Sequence, residues 1–112
     1  MSEATATIPA RSDKTRIMGA IFGVLIVLLG VLDVISTNLV LAAGGTELNP
    51  IVAWFMDTLD SWWPVPKLAL HVIAGLLVYH VLRSRLAASC AVILIIFYVI
   101  VVQNNFSQLL FA

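Results

Sequence analysis

Residues 17–43 read IMGAIFGVLIVLLGVLDVISTNLVLAA, and this stretch decides the class of fold. Asp33, Ser36, Thr37 and Asn38 are its only polar side chains. As a helix it would span roughly 40 Å at about 1.5 Å per residue, more than the roughly 30 Å hydrocarbon core of a bilayer. A helix of that length crosses with tilt. The competing reading is a cleaved signal peptide, because Arg11, Lys14 and Arg16 precede the run and the small residues Ala42 and Gly44 at its end suit a cleavage site. The apolar part of such a peptide is only about 7 to 15 residues long, and this one also contains an acid.

Working outward, two more apolar runs follow. The run over 86–102 carries no charge and includes Val92, Ile93, Leu94, Ile95, Ile96, Phe97 and Tyr98 in succession, with room to extend to Phe106 or Leu110. The run over 68–82 is shorter and has to recruit Val65 to Lys67 at one end and the stems of Arg83 or Arg85 at the other. Composition agrees with a lipid-facing chain. Of the 112 residues, 62% are hydrophobic and 11% charged, where soluble domains carry about a quarter charged residues. A net charge of zero gives no basic field for nucleic acid. The single Cys90 forms no internal disulfide and reads as a small hydrophobe.

The expected fold is therefore all-α: an integral membrane three-helix bundle with spans at about 17–43, 65–82 and 86–106. Residues 1–16 are expected to form a mobile cytoplasmic tail and 17–112 the membrane domain. Arg11, Lys14 and Arg16 precede the first span, and Arg83 and Arg85 lie between the second and third, leaving Lys67 alone on the opposite side. The positive-inside rule places the N-terminus in the cytoplasm of a cell whose inner or plasma membrane holds the chain, and the C-terminus outside. Between the first two spans, Gly44-Gly45 suits a left-handed helix end, and Asn49-Pro50 reads as an N-cap followed by proline. A short interfacial helix at about 50–59 is predicted, with Ile51, Val52, Phe55 and Leu59 on its apolar face, then a break at Pro64 and Pro66. Trp54, Trp62 and Trp63 suit a membrane–water interface.

The residue that most needs a partner is Asp33, since a carboxylate near mid-membrane costs about 2.5 to 3.5 kcal/mol on insertion scales. Gly30, Asp33 and Thr37 share a helix face that Gly23 and Gly19 extend at small-residue spacing. On the second span Lys67, His71, Gly75 and Tyr79 recur every four residues. The two stripes are expected to meet, with Asp33 in contact with Lys67 or His71 and Glu47 capping Lys67 from above. Gln103, Asn104 and Asn105 read as markers of the outer interface, or else as a polar vestibule. Asp33, Glu47 and His71 are acceptable metal-ligand types without supporting spacing, and His71 and His80 are too far apart on one helix to clasp a haem, so no metal or cofactor is expected.

The arrangement Asp33-x-x-x-Thr37, then Glu47-x-Asn49-Pro50, then Lys67 opening the next span resembles an uncharacterised family of small prokaryotic membrane proteins known only as a domain of unknown function. The resemblance covers roughly 32–75. It implies that Asp33, Glu47, Asn49, Pro50 and Lys67 belong to one motif, and it implies no activity. No nucleophile elbow, glycine-rich phosphate loop or HExxH is present, so a hydrolase or kinase reading has no anchor. The expected role is non-enzymatic: helix association with other membrane-protein helices or with itself, as an accessory subunit or homo-oligomer, with the lipid bilayer as the other partner. A small proton- or ion-coupled transporter or channel using Asp33, Lys67 and His71 is the alternative, and a metal- or pigment-binding membrane protein a third. The structural alternative is a buried network that only fixes helix register and loop closure.

Overall fold

The computed structural model describes residues 12–110, and these are helical throughout apart from short connections, with no strand among them. Helix α1 runs over Asp13–Ala42, α2 over Pro50–Leu59, α3 over Pro64–Val81 and α4 over Arg85–Leu110, with a 3-10 turn at Asp60–Trp62 between α2 and α3. Helices α1, α3 and α4 are each long and apolar enough to cross a membrane. Most of the expected N-terminal tail, residues 1–11, lies outside the described residues.

Helix α1 starts at Asp13, ahead of the first apolar residue at position 17. The cause is local: the Ser12 hydroxyl accepts a hydrogen bond from the Thr15 backbone N–H at 3.2 Å, and Asp13 places its negative charge in the first turn. At the far end Gly44 takes φ +93°, its N–H donates to the Leu41 carbonyl at 3.1 Å and that of Gly45 to the Val40 carbonyl at 2.8 Å. These two bonds are the Schellman pattern, and only a glycine reaches that φ without strain. Asn49 then caps α2, its side-chain oxygen accepting from the Ile51 N–H at 3.0 Å, with Pro50 at the first helical position.

Two expectations fail in this region. Pro64 and Pro66 do not break the chain ahead of a helix; they form the first turn of α3, where a missing N–H has no intrahelical acceptor to lose. The break comes earlier, at Asp60, whose φ of 51° turns the chain out of α2. The packing face of α2 also differs. Val52, Phe55 and Met56 pack on Val34, Trp63 and Leu68, while Ile51 and Leu59 stay exposed.

Helix α1 is central and packs against both α3 and α4, which make few contacts with each other. Helix α3 is antiparallel to α1. A Cβ on Gly23 would lie 2.7 Å from the Gly75 carbonyl oxygen, and one on Gly75 would lie 2.8 Å from that of Gly23, so the two backbones touch where they cross. About two turns further along α1, Gly30 leaves room for the His71 ring; a Cβ there would fall on the ring's Cγ. Gly19 is buried as well, near the start of the same stripe. Helix α4 runs parallel to α1 after a tight turn in which the Ser84 hydroxyl accepts from the Ala87 N–H at 3.1 Å. The layer thus has a turn end, at 82–84, and a loop end, at 43–49 with α2.

Candidate functional site

Every polar side chain that α1 buries lies in one helical turn and a half, at Asp33, Ser36 and Thr37. The apolar surroundings make an unpaired carboxylate there costly, and the helices beside it supply the compensation. From α3, the Lys67 ammonium reaches Asp33 Oδ2 at 2.7 Å. From α1 itself, the Thr37 hydroxyl donates to Asp33 Oδ1 at 3.3 Å, and the Ser36 hydroxyl donates to the Asp33 backbone carbonyl at 3.1 Å. From α4, the Asn105 amide NH2 lies 3.3 Å from Asp33 Oδ1, 3.0 Å from Ser36 Oγ and 3.3 Å from Thr37 Oγ1. Both carboxylate oxygens are therefore engaged, and three helices are tied together at one point. Lys67 also lies over the buried Trp63 ring, 5.9 Å from its centroid.

Of the residues singled out in the sequence, Asp33, Thr37 and Lys67 come together. His71 does not join them. Its Nδ1–H donates to the Ile26 carbonyl at 3.1 Å, two turns of α1 away from Asp33 toward the turn end. A carbonyl only accepts, so Nδ1 carries a proton, and Nε2 is buried without a hydrogen-bond partner. The ring rests against Tyr98 of α4, centroids 4.4 Å apart. Glu47 does not cap Lys67 either. Its Oε1 accepts from the Asn49 N–H at 2.8 Å, an acid-to-backbone contact two residues apart that shapes the loop, and the one ion pair among the described residues is Lys67 with Asp33. Asn49 is occupied in capping α2.

Asn105, read in sequence as an interface marker or part of a polar vestibule, joins the Asp33 cluster, as does Ser36, while Tyr98 packs on His71. Amides at the end of an apolar run look like an interface. The signal that was available is spacing: Ala91, Tyr98, Val102 and Asn105 recur at intervals of seven, four and three, which puts them on one helix face. That face is the one turned to α1, with Ala91 and Val102 buried and Tyr98 and Asn105 half-buried.

Above the ion pair, toward the loop end, a cleft of about 480 Å³ opens between α1, α4 and α2. Asp33 and Lys67 line it together with Glu47, Tyr98, Asn104 and Gln108, and apolar side chains such as Leu70 and Val101 complete its walls. Among the described residues no group of three His, Cys, Asp or Glu side chains comes close enough to hold a metal ion.

A family model described as a domain of unknown function, DUF5658, matches residues 24–111. The chain belongs to the DUF5658 family. The match spans most of α1 and all of α2, α3 and α4, so it takes in Asn105 and Tyr98 as well as the stretch over 32–75 that carries the resemblance in sequence. The family description brings no activity to these residues. No curated protein and no solved structure matches the chain.

Proposed function

We propose that this DUF5658 chain is a three-span integral membrane protein that acts by associating with other membrane helices, a second copy of itself or subunits of a larger complex, rather than by catalysis. In this reading the turn end, with Arg83, Arg85, Lys14 and Arg16, faces the cytoplasm, and the loop end and the C-terminal end of α4 lie outside.

The observation that supports association is a second, wholly apolar groove of about 340 Å³ between α1 and α3. The Gly23–Gly75 crossing lies in it, and Val24, Leu28, Val72 and Leu76, all exposed, line it. Small residues on its floor allow a partner helix to approach closely, which is how helices associate where lipid removes the hydrophobic drive. The polar cluster, by contrast, is already satisfied within one chain, so a partner is not needed to neutralise it. The test is extraction in a mild detergent or native nanodiscs, followed by crosslinking and mass spectrometry. Dimers or defined hetero-complexes are expected, and they are expected to disappear in Leu28→Trp, which fills the groove from an exposed position; a monomer without partners counts against the proposal.

One observation favours a second reading, a small ion- or proton-coupled transporter: the larger cleft leads down to a buried charge pair. Flux in reconstituted vesicles that is lost in Asp33→Asn, with folding intact, would support it. Absence of flux in the wild type would end it.

A further inference from the structure

The cleft above the ion pair has the size of a small-molecule pocket, which typically measures about 300 to 1,000 Å³. Its charge is not balanced. The ionisable acids and bases that line it are Asp33, Glu47 and Lys67, two negative groups against one positive. Asp33 and Lys67 neutralise each other at 2.7 Å, and Thr37 and Asn105 occupy the remaining carboxylate oxygen of Asp33. The uncompensated charge is therefore that of Glu47. Glu47 as a residue is half-buried, one carboxylate oxygen accepts a single backbone N–H in an exposed contact, and no cation pairs with it among the described residues.

An anion is a poor occupant. Its natural partner, the Lys67 ammonium, is already committed, and Glu47 would repel it. A bare divalent ion is no better, because no three His, Cys, Asp or Glu side chains come together among the described residues, Asp33 is already paired with Lys67, and the lining is largely apolar. What suits one unpaired carboxylate among aromatic and aliphatic walls is a cation that carries its own apolar surface. Phe55, Phe97 and Tyr98 all line the cleft, and aromatic faces attract a desolvated cation.

We propose that the cleft between α1, α2 and α4 binds a small organic cation, a quaternary or alkyl ammonium, with Glu47 as its counter-ion and the rings of Phe55, Phe97 and Tyr98 in its walls. The site needs neither transport nor oligomerisation. A chain that binds the cation without moving it keeps this site while losing the transporter reading, and a monomer that binds it keeps the site while losing the association reading.

The experiment is calorimetric titration of the full chain in dodecyl maltoside micelles, whose head group carries no ammonium, with benzyltrimethylammonium as ligand and benzenesulfonate as the anionic control. Saturable binding of the cation at one per chain is expected, with the anion at least about tenfold weaker. Glu47→Gln, a change on an exposed loop contact, is expected to weaken the cation about tenfold while leaving the circular dichroism spectrum unchanged. Leu70→Trp, which fills the cleft from an exposed α3 position, is expected to remove binding. No saturable cation binding, equal binding of the anion, or an unchanged affinity in well-folded Glu47→Gln would each overturn the proposal.

Discussion

At the scale of single residues, the energetics turn on Asp33, which is 3% exposed and accepts from two other helices as well as from its own. Removing one member of a buried ion pair leaves the other charge without compensation, which costs about 3 to 5 kcal/mol, whereas replacing both with apolar side chains of similar volume is often neutral. Lys67 is partly open to the cleft, 16% exposed, and can shed some of that penalty by reaching outward, which places the expected cost near the lower bound. Asp33→Asn is therefore expected to destabilise the chain by about 3 kcal/mol, Lys67→Met by a similar amount, and Asp33→Leu with Lys67→Met by much less than the sum. Reversible unfolding in mixed micelles, followed by circular dichroism, measures all three. If Asp33→Asn costs under about 1 kcal/mol, the pair does not hold the three helices together.

At the scale of elements, the glycines decide how closely α1 and α3 approach. An alanine at position 23 gains about 1 kcal/mol of helix propensity but drives its Cβ to 2.7 Å from a backbone carbonyl, which has no rotamer to yield. The helices must part, loosening the contact on which the Asp33–Lys67 and His71–Ile26 bonds depend, and the net effect of Gly23→Ala is expected to be a loss of about 1 to 2 kcal/mol. Gly75→Ala meets the same carbonyl contact from the other side at 2.8 Å. One separation relieves both clashes, so the double variant is expected to cost clearly less than the two added, in the same unfolding measurement. A gain in stability for Gly23→Ala would mean that the backbones are not in contact. The meeting of these stripes was legible in sequence because both recur at helical intervals of three, four or seven on long uninterrupted helices. The face of α2 was not: from Pro50 to Met56 all its side chains are apolar, so periodicity fixes no face and only the docking of Val52 on Val34 and Trp63 does. The prolines misled for a different reason, since Pro64 and Pro66 punctuate a chain equally well just before a helix or within its first turn. The role of Glu47 was beyond sequence too, because proximity to Lys67 in the chain's layout does not say whether a loop carboxylate prefers a side chain or the nearby Asn49 N–H.

At the scale of the whole molecule, the charges sort by end more sharply than a count suggests. Lys14, Arg16, Arg83 and Arg85 lie at the turn end and are all exposed, while Lys67, the one basic residue toward the loop end, is spent on Asp33. The loop end is left with Glu47, Asp57 and Asp60 and no free basic group among the described residues. If α1, α3 and α4 cross a bilayer, the proposed orientation keeps Lys14, Arg16, Arg83 and Arg85 on the cytoplasmic side, as the positive-inside rule favours. Two exposed positions at opposite ends report on this directly: Thr46 in the loop and Ser84 in the turn. In a Cys90→Ala background, a membrane-impermeant maleimide applied to intact cells is expected to label Thr46→Cys, and to label Ser84→Cys only once the membrane is permeabilised. The reverse pattern would invert the orientation while leaving the spans in place. Labelling of both positions in intact cells would be incompatible with a crossing by α3, because α3 is the one span-length helix between these two positions in the chain.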